Sequence, residues 1–182
     1  MSERNHNDHP PATPRLKLRR LTASDAPLML AVWNDPDFVR HVGDRGIREL
    51  DEAENALREG LLRLYSEYGY GPYAMELRRT GELIGICGLF RREGLDEPDI
   101  GFAVLPDFRG LGYVHEAAGS VLDFALEQLM LPRLVAIVSP ANKASVAIIR
   151  KLGLEFERMQ RMPGDDKDVA VYGLTVRRTE GG

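Results

Sequence analysis

Residues 99–139 constrain the fold of this chain more than any other segment. Residues 99–105 (DIGFAVL) read as a strand, 112–130 as a helix, and 134–139 (LVAIVS) as a buried strand. Val114, Ala118, Val121, Leu122, Ala125 and Leu129 give the helix one apolar face. A strand, crossover helix and strand in this order form a unit of parallel type.

The flanking segments add strands and helices. Leu16, Leu18 and Arg20 alternate with Lys17, Arg19 and Leu21 in a first strand. Ser24 or Asp25 caps a helix with Pro27 in its first turn, which stops near Asp35-Pro36. Leu50, Ala53, Leu57, Leu61, Leu64 and Tyr65 recur at three and four, predicting a helix over 49–67. Residues 68–72 (YGYGP) break it. Strands follow at 73–79 and 82–92 around the turn Thr80-Gly81, and the second is apolar on both faces, as a central strand is. Asn142 caps a short helix ending at Leu152, with Gly153 at its C′ position. Residues 154–161 and 169–176 form two last strands. The predicted class is mixed α/β (α+β), a mostly antiparallel sheet of about seven strands with one parallel pair and about four helices.

Composition excludes several classes. A chain of 182 residues fits one domain, and residues 1–14, with three prolines and no periodicity, read as a mobile tail before a domain over 15–178. His6 and His9 lie in that tail, with nothing to fix a metal geometry. The net charge of -4 argues against a nucleic-acid partner. No run of about 18 apolar residues or signal core is visible, so no membrane partner and a cytoplasmic location are expected. The single cysteine, Cys87, allows no intrachain disulfide, fits a reducing compartment, and reads as a small buried hydrophobe.

The loop Pro106-Asp107-Phe108-Arg109-Gly110-Leu111-Gly112-Tyr113 joins a strand end to a helix start. Unpaired N–H groups and the helix dipole favour an anion there. Gly110 and Gly112 allow close approach of the backbone, and Arg109 adds a cation. A Walker A loop is absent, and a dinucleotide fingerprint fails because His115 stands where its third glycine belongs.

Arg109-x-x-Gly112 after this strand resembles the acyl-CoA signature of the GNAT acyltransferase superfamily, Gln/Arg-x-x-Gly-x-Gly/Ala. Asn142-Lys143-Ala144-Ser145 and Lys151-Leu152-Gly153-Leu154 resemble its second motif. Trp33-Asn34-Asp35-Pro36-Asp37 resembles a segment of the branch that includes ribosomal-protein-alanine N-acetyltransferases. Two departures matter. Val114 replaces the last Gly/Ala, and Ile149 replaces the Tyr that many members use to protonate the leaving thiolate.

The resemblance implies acetyl-CoA as acyl donor, an amine acceptor, no metal, and a homodimer as a further expectation. Pantetheine would add beside Val104 and Leu105. The pyrophosphate would sit on Arg109, Gly110, Leu111, Gly112, Tyr113 and Val114, and Asn142 would bind the thioester side of the cleft. Asp99 aligns with the family's base, with Glu97 on the same face of an extended strand. Ser145 is the candidate thiolate donor and Tyr113 the second; His115 would meet CoA phosphates. Trp33 and His41 are expected to border the acceptor, with Arg45 and Arg48 also in or near the variable early helices and with Tyr68, Tyr70 and the 163–168 loop, including Asp165, Asp166 and Asp168, on the rim. An α-amine of pKa about 8 is roughly 10% neutral at pH 7, against less than about 0.1% for lysine, so weak base machinery suits an α-amine. The acceptor is then a protein N-terminus or a small amine such as an aminoglycoside or polyamine. The alternative on the same fold is a non-catalytic acyl-CoA sensor, and an unrelated nucleotide-binding protein is disfavoured by the failed phosphate motifs.

Overall fold

The computed structural model describes residues 8–176. Seven strands form one sheet: β1 (Leu16–Arg20), β2 (Pro72–Leu77), β3 (Leu83–Phe90), β4 (Asp99–Val104), β5 (Arg133–Val138), β6 (Glu155–Arg161) and β7 (Asp168–Thr175). Their order is β1-β2-β3-β4-β5-β7-β6, and every neighbouring pair is antiparallel except β4–β5. The crossover predicted for residues 99–139 is this parallel seam, carried by helix α5 (Tyr113–Asp123).

Six helices accompany the sheet: α1 (Ala26–Trp33), α2 (Pro36–His41), α3 (Leu50–Ala56), α4 (Arg63–Tyr68), α5 and α6 (Lys143–Lys151). α3 and α4 are one body joined by a π-wound turn, in which the Leu62 N–H donates to the Leu57 carbonyl at 3.0 Å. Five helical bodies therefore stand where the sequence predicts about four. The added one is α2. Asp35-Pro36 reads as a stop, yet Asp35 caps the next helix, accepting from the Phe38 N–H at 3.1 Å, and Pro36 is its first residue. A proline that ends one helix suits the start of another, because its missing N–H needs no partner there.

Apolar layers cover both sheet faces. Ala117, Val121 and Phe124 of the α5 layer meet Leu16, Leu18, Tyr73, Met75 and Leu89. Met29, Trp33 and Leu57 meet Ala74, Ile86 and Phe90 on the other side. β3 feeds both layers, as its two-faced apolar pattern predicts. Cys87 is fully buried within it, and burial pushes its thiol pKa up. Each large buried side chain contributes about 1.5–3 kcal/mol, so the strands and α5 form a firm base for the cleft between them.

Residues 8–14, within the segment read as a mobile tail, run against this base. Pro10 is buried, the Pro11 carbonyl accepts from Ser120 Oγ at 2.7 Å, and Thr13 Oγ1 donates to Glu116 at 2.6 Å. His9 Nδ1 lies 2.9 Å from the Pro10 carbonyl. Residues 1–7, with His6, and 177–182 lie outside the described residues.

Candidate active site

β4 and β5 pair only at Asp99↔Val135, where the Val135 N–H donates to the Pro98 carbonyl at 3.1 Å. Beyond that point the strands part, and a cleft of about 500 Å³ opens. Backbone groups along a strand alternate between its two sides. The Leu105 N–H donates to the Ile84 carbonyl at 2.8 Å, so Leu105 faces β3 and does not border the cleft. Its expected place was beside pantetheine, and its N–H is already taken up by β3. Val104 and Phe102, of the opposite parity, turn their N–H and carbonyl groups toward the opening, and both line it. Phe102 escaped sequence reading, although strand alternation alone could have found it.

The loop after β4 leads into the N-terminus of α5. Gly112 caps the helix at φ +81° and Gly110 stands at φ +72°, both left-handed conformations that favour glycine. The N–H groups of Tyr113, Val114 and His115 have no intrahelical acceptor. Gly110, Gly112, Tyr113, Val114 and His115 all line the cleft. Leu111 does not: its side chain is exposed and its carbonyl accepts from Arg15 Nη1 at 2.9 Å. Arg15 is a residue that sequence reading missed. It stacks on the Tyr113 ring at 4.3 Å and binds Glu116 through Nε at 2.6 Å, bracing the loop from β1.

Arg109 lines the cleft, but its charge is already met. Its guanidinium is paired with Asp35, and with Asp37 at 2.9 Å. Both carboxylates also line the cleft. The free cation expected from the sequence is therefore a bridge between the loop and α2. The anion-binding character rests on backbone N–H groups, with Lys151 and His115 also on the lining.

A second cavity of about 180 Å³ adjoins the first. Phe38, His41, Phe102, Asn142 and Ser145 border both. Asn142 caps α6, its Oδ1 accepting from the Ser145 N–H at 3.2 Å. The Ser145 hydroxyl makes no hydrogen bond among the described residues. Asp99 and Trp33 line the second cavity only. Trp33 is 3% exposed, so most of it is core. Ile149, at the family's Tyr position, is buried there and offers no proton.

Asp99 is 1% exposed. Its Oδ2 accepts from Arg92 Nε at 2.9 Å, while its buried Oδ1 has no partner. Burial raises its pKa, and Arg92 opposes that only in part. Glu97 is elsewhere: it binds Arg133 at 2.8 Å and borders neither cavity, because the chain before Asp99 is loop rather than strand. Tyr68 and Tyr70 stack on each other at 5.9 Å, away from both cavities. Of the acidic turn, Asp165 lines the second cavity, whereas Asp168 pairs with Arg161 at 2.9 Å. Asp166 and Arg48 border neither cavity, and Arg48 pairs with Asp44 at 2.7 Å.

An open strand edge can take up amides, and the helix N-terminus beyond it can take up phosphates. The cleft thus fits an extended ligand with amides in its arm and a diphosphate beyond, as coenzyme A is built. Fold and site together define an acyltransferase of the acyl-CoA type. Residues 15–155 match the acetyltransferase (GNAT) domain, and the chain belongs to that family. It is 27% identical to the uncharacterized N-acetyltransferase YoaA of Bacillus subtilis (strain 168), covering 91% of this chain and 96% of that protein. The acetyltransferase structure from Agrobacterium tumefaciens str. C58 superposes with a TM-score of 0.77 at 28% identity, covering 92% of this chain and 94% of the other. RimL, a ribosomal L7/L12 alpha-N-protein acetyltransferase solved with coenzyme A, shares the fold at a TM-score of 0.78 and 19% identity, over 92% of this chain and 98% of that one.

Proposed function

We propose that this chain moves an acetyl group from acetyl-CoA to a primary amine by direct attack on the thioester. The supporting observation is the meeting of two cavities at Asn142 and Ser145, with Asp99 on the wall of the second. The larger cavity would take the donor and the smaller the acceptor. Acetyl-CoA supplies an activated acyl group when bound. Asp99 takes the proton that the amine loses as the N–C bond forms and the C–S bond breaks. Its raised pKa brings it nearer the working pH of a general base. The Ser145 hydroxyl gives its proton to the departing thiolate and is reprotonated from solvent, while Asp99 returns the amine's proton to solvent, so the net change is one proton moved from the amine to the free thiol. Asn142 orients Ser145 through the helix cap.

The test is thiol release from acetyl-CoA with a panel of amines, alongside calorimetric binding of coenzyme A. Acceptor-dependent thiol release supports the reading. Coenzyme A binding without release from any acceptor would favour the non-catalytic sensor, and no coenzyme A binding would remove both.

A further inference from the structure

The second cavity carries hydrogen-bond donors that acetyl transfer leaves unused. Arg45, in the loop after α2, lines it with its guanidinium 5.5 Å from the centroid of the Trp33 ring. It forms no ion pair with any described residue. Desolvation and the like charge of Arg92 both lower its pKa from the ordinary arginine value. Arg92 lies on the same wall, 5.0 Å from the Phe90 ring centroid, and gives only its Nε to Asp99. Its two terminal amino groups have no partner among the described residues.

A guanidinium stays charged across the whole working pH range, so this pair cannot relieve its repulsion by losing a proton. Arg45 is exposed and Arg92 half-buried, so an incoming oxyanion would exchange water for charge-assisted hydrogen bonds at Arg45 and supply acceptors to the partly desolvated terminal donors of Arg92. The planar fork of arginine matches the paired oxygens of a carboxylate or a phosphate. Asp165, on the turn after β6, also lines the cavity with no ion pair among the described residues and suits the amine end before it is deprotonated. At about 180 Å³, against about 500 Å³ for the donor cleft, the cavity suits a small acceptor.

We infer that Arg45 and Arg92 form an oxyanion subsite, and that the acceptor is a small amine carrying a carboxylate or a phosphate. This inference rests on the acetyl-transfer reading above. It opposes a polyamine acceptor, because Asp165 can meet one of its cations while a second would lie near Arg45.

Matched acceptors test it in the thiol-release assay. An α-amino acid is compared with its carboxamide, and ethanolamine phosphate with ethanolamine, with spermidine as the cationic control. In at least one pair the anionic member is expected to show kcat/KM about tenfold higher or more. The favoured pair tells carboxylate from phosphate. The ratio falls toward one in Arg45→Gln, partly returns in Arg45→Lys, and shrinks as salt is raised. Independently of turnover, inorganic phosphate or the free amino acid should raise the melting temperature of the wild type more than that of Arg45→Gln. Equal rates within both pairs, a ratio unchanged in Arg45→Gln, or preference for spermidine overturns the subsite and leaves acetyl transfer standing. If no amine releases thiol, the transfer reading fails, and the subsite stands or falls on whether Arg45→Gln removes the melting-temperature rise.

Discussion

The two cavities are built by different means. The donor cleft is mostly backbone: a strand edge left open by parting strands, two left-handed glycines and the first N–H groups of α5. The smaller cavity, the proposed acceptor site, is mostly side chain: Asp99, Arg92, Arg45, Trp33 and Ile149 come from five separate segments. A backbone site needs one local pattern and tolerates many side chains. A side-chain site can change its ligand with a single substitution. Such a division lets one fold keep its donor while acceptors differ.

Breaking the acceptor side should have the largest effect. Asp99→Asn removes the candidate base and is expected to lower kcat/KM about 100-fold or more, with coenzyme A affinity retained by calorimetry. Full turnover in this variant would take Asp99 out of the reaction. On the donor side, Gly112→Ala forces a Cβ onto a residue at φ +81° and to within 3.3 Å of Arg15 Nη2. A cost of about 1–2 kcal/mol is expected, read as a lower melting temperature and about tenfold weaker coenzyme A binding.

The Arg109 bridge ties the loop before α5 to α2, whose Phe38 and His41 border both cavities, and Asp35→Asn tests that tie. Asparagine still caps α2, so the fold is retained while one carboxylate facing the phosphate region loses its charge. Coenzyme A should bind a few-fold more tightly, an effect of the size of a partly exposed ion pair. Weaker binding would mean that Asp35 holds Arg109 in a productive position. The smallest effect is expected at Leu111→Ala, whose side chain is outside the cleft: coenzyme A binding should move by less than about 0.5 kcal/mol.

The pH dependence of Asp99 separates stability from activity. Its carboxyl pKa is raised in the folded protein, so the native state binds that proton more tightly than the unfolded chain does. The resulting stability is present below the ordinary carboxylate pKa of about 3.9 and is lost as pH rises through the raised value. Activity rises through the same window, because the base must be ionised. The acidic limb of kcat/KM should therefore lie above the ordinary carboxylate range. Melting temperature should fall across that limb in the wild type, with a shallower slope in Asp99→Asn.

The donor side was the more legible half. Gly110, Gly112 and the helix start are contiguous, and the parallel crossover follows from the order of strand, helix and strand. Leu105 and Leu111, expected beside the donor, do not line the cleft, and a motif names positions without saying which way each one faces. Strand parity and a single hydrogen bond from Leu105 to Ile84 decide that. On the acceptor side, Asp99 and Ser145 were visible through neighbouring motifs. Arg45 and Arg92 were not named as a pair, since no sequence spacing brings residues 45 and 92 to one wall.

The chain by itself determined what depends on neighbours along the backbone: alternation in strands, the apolar stripe of α5, the glycines of its cap, and hence the family. Tertiary structure alone decided the partner of each charge. Arg109 meets Asp35 and Asp37, Arg92 meets Asp99, and Arg45 meets no carboxylate among the described residues. The reason is physical. Backbone conformation is set over a few residues, whereas an ion pair depends on distances of a few ångströms between groups that the sequence holds far apart.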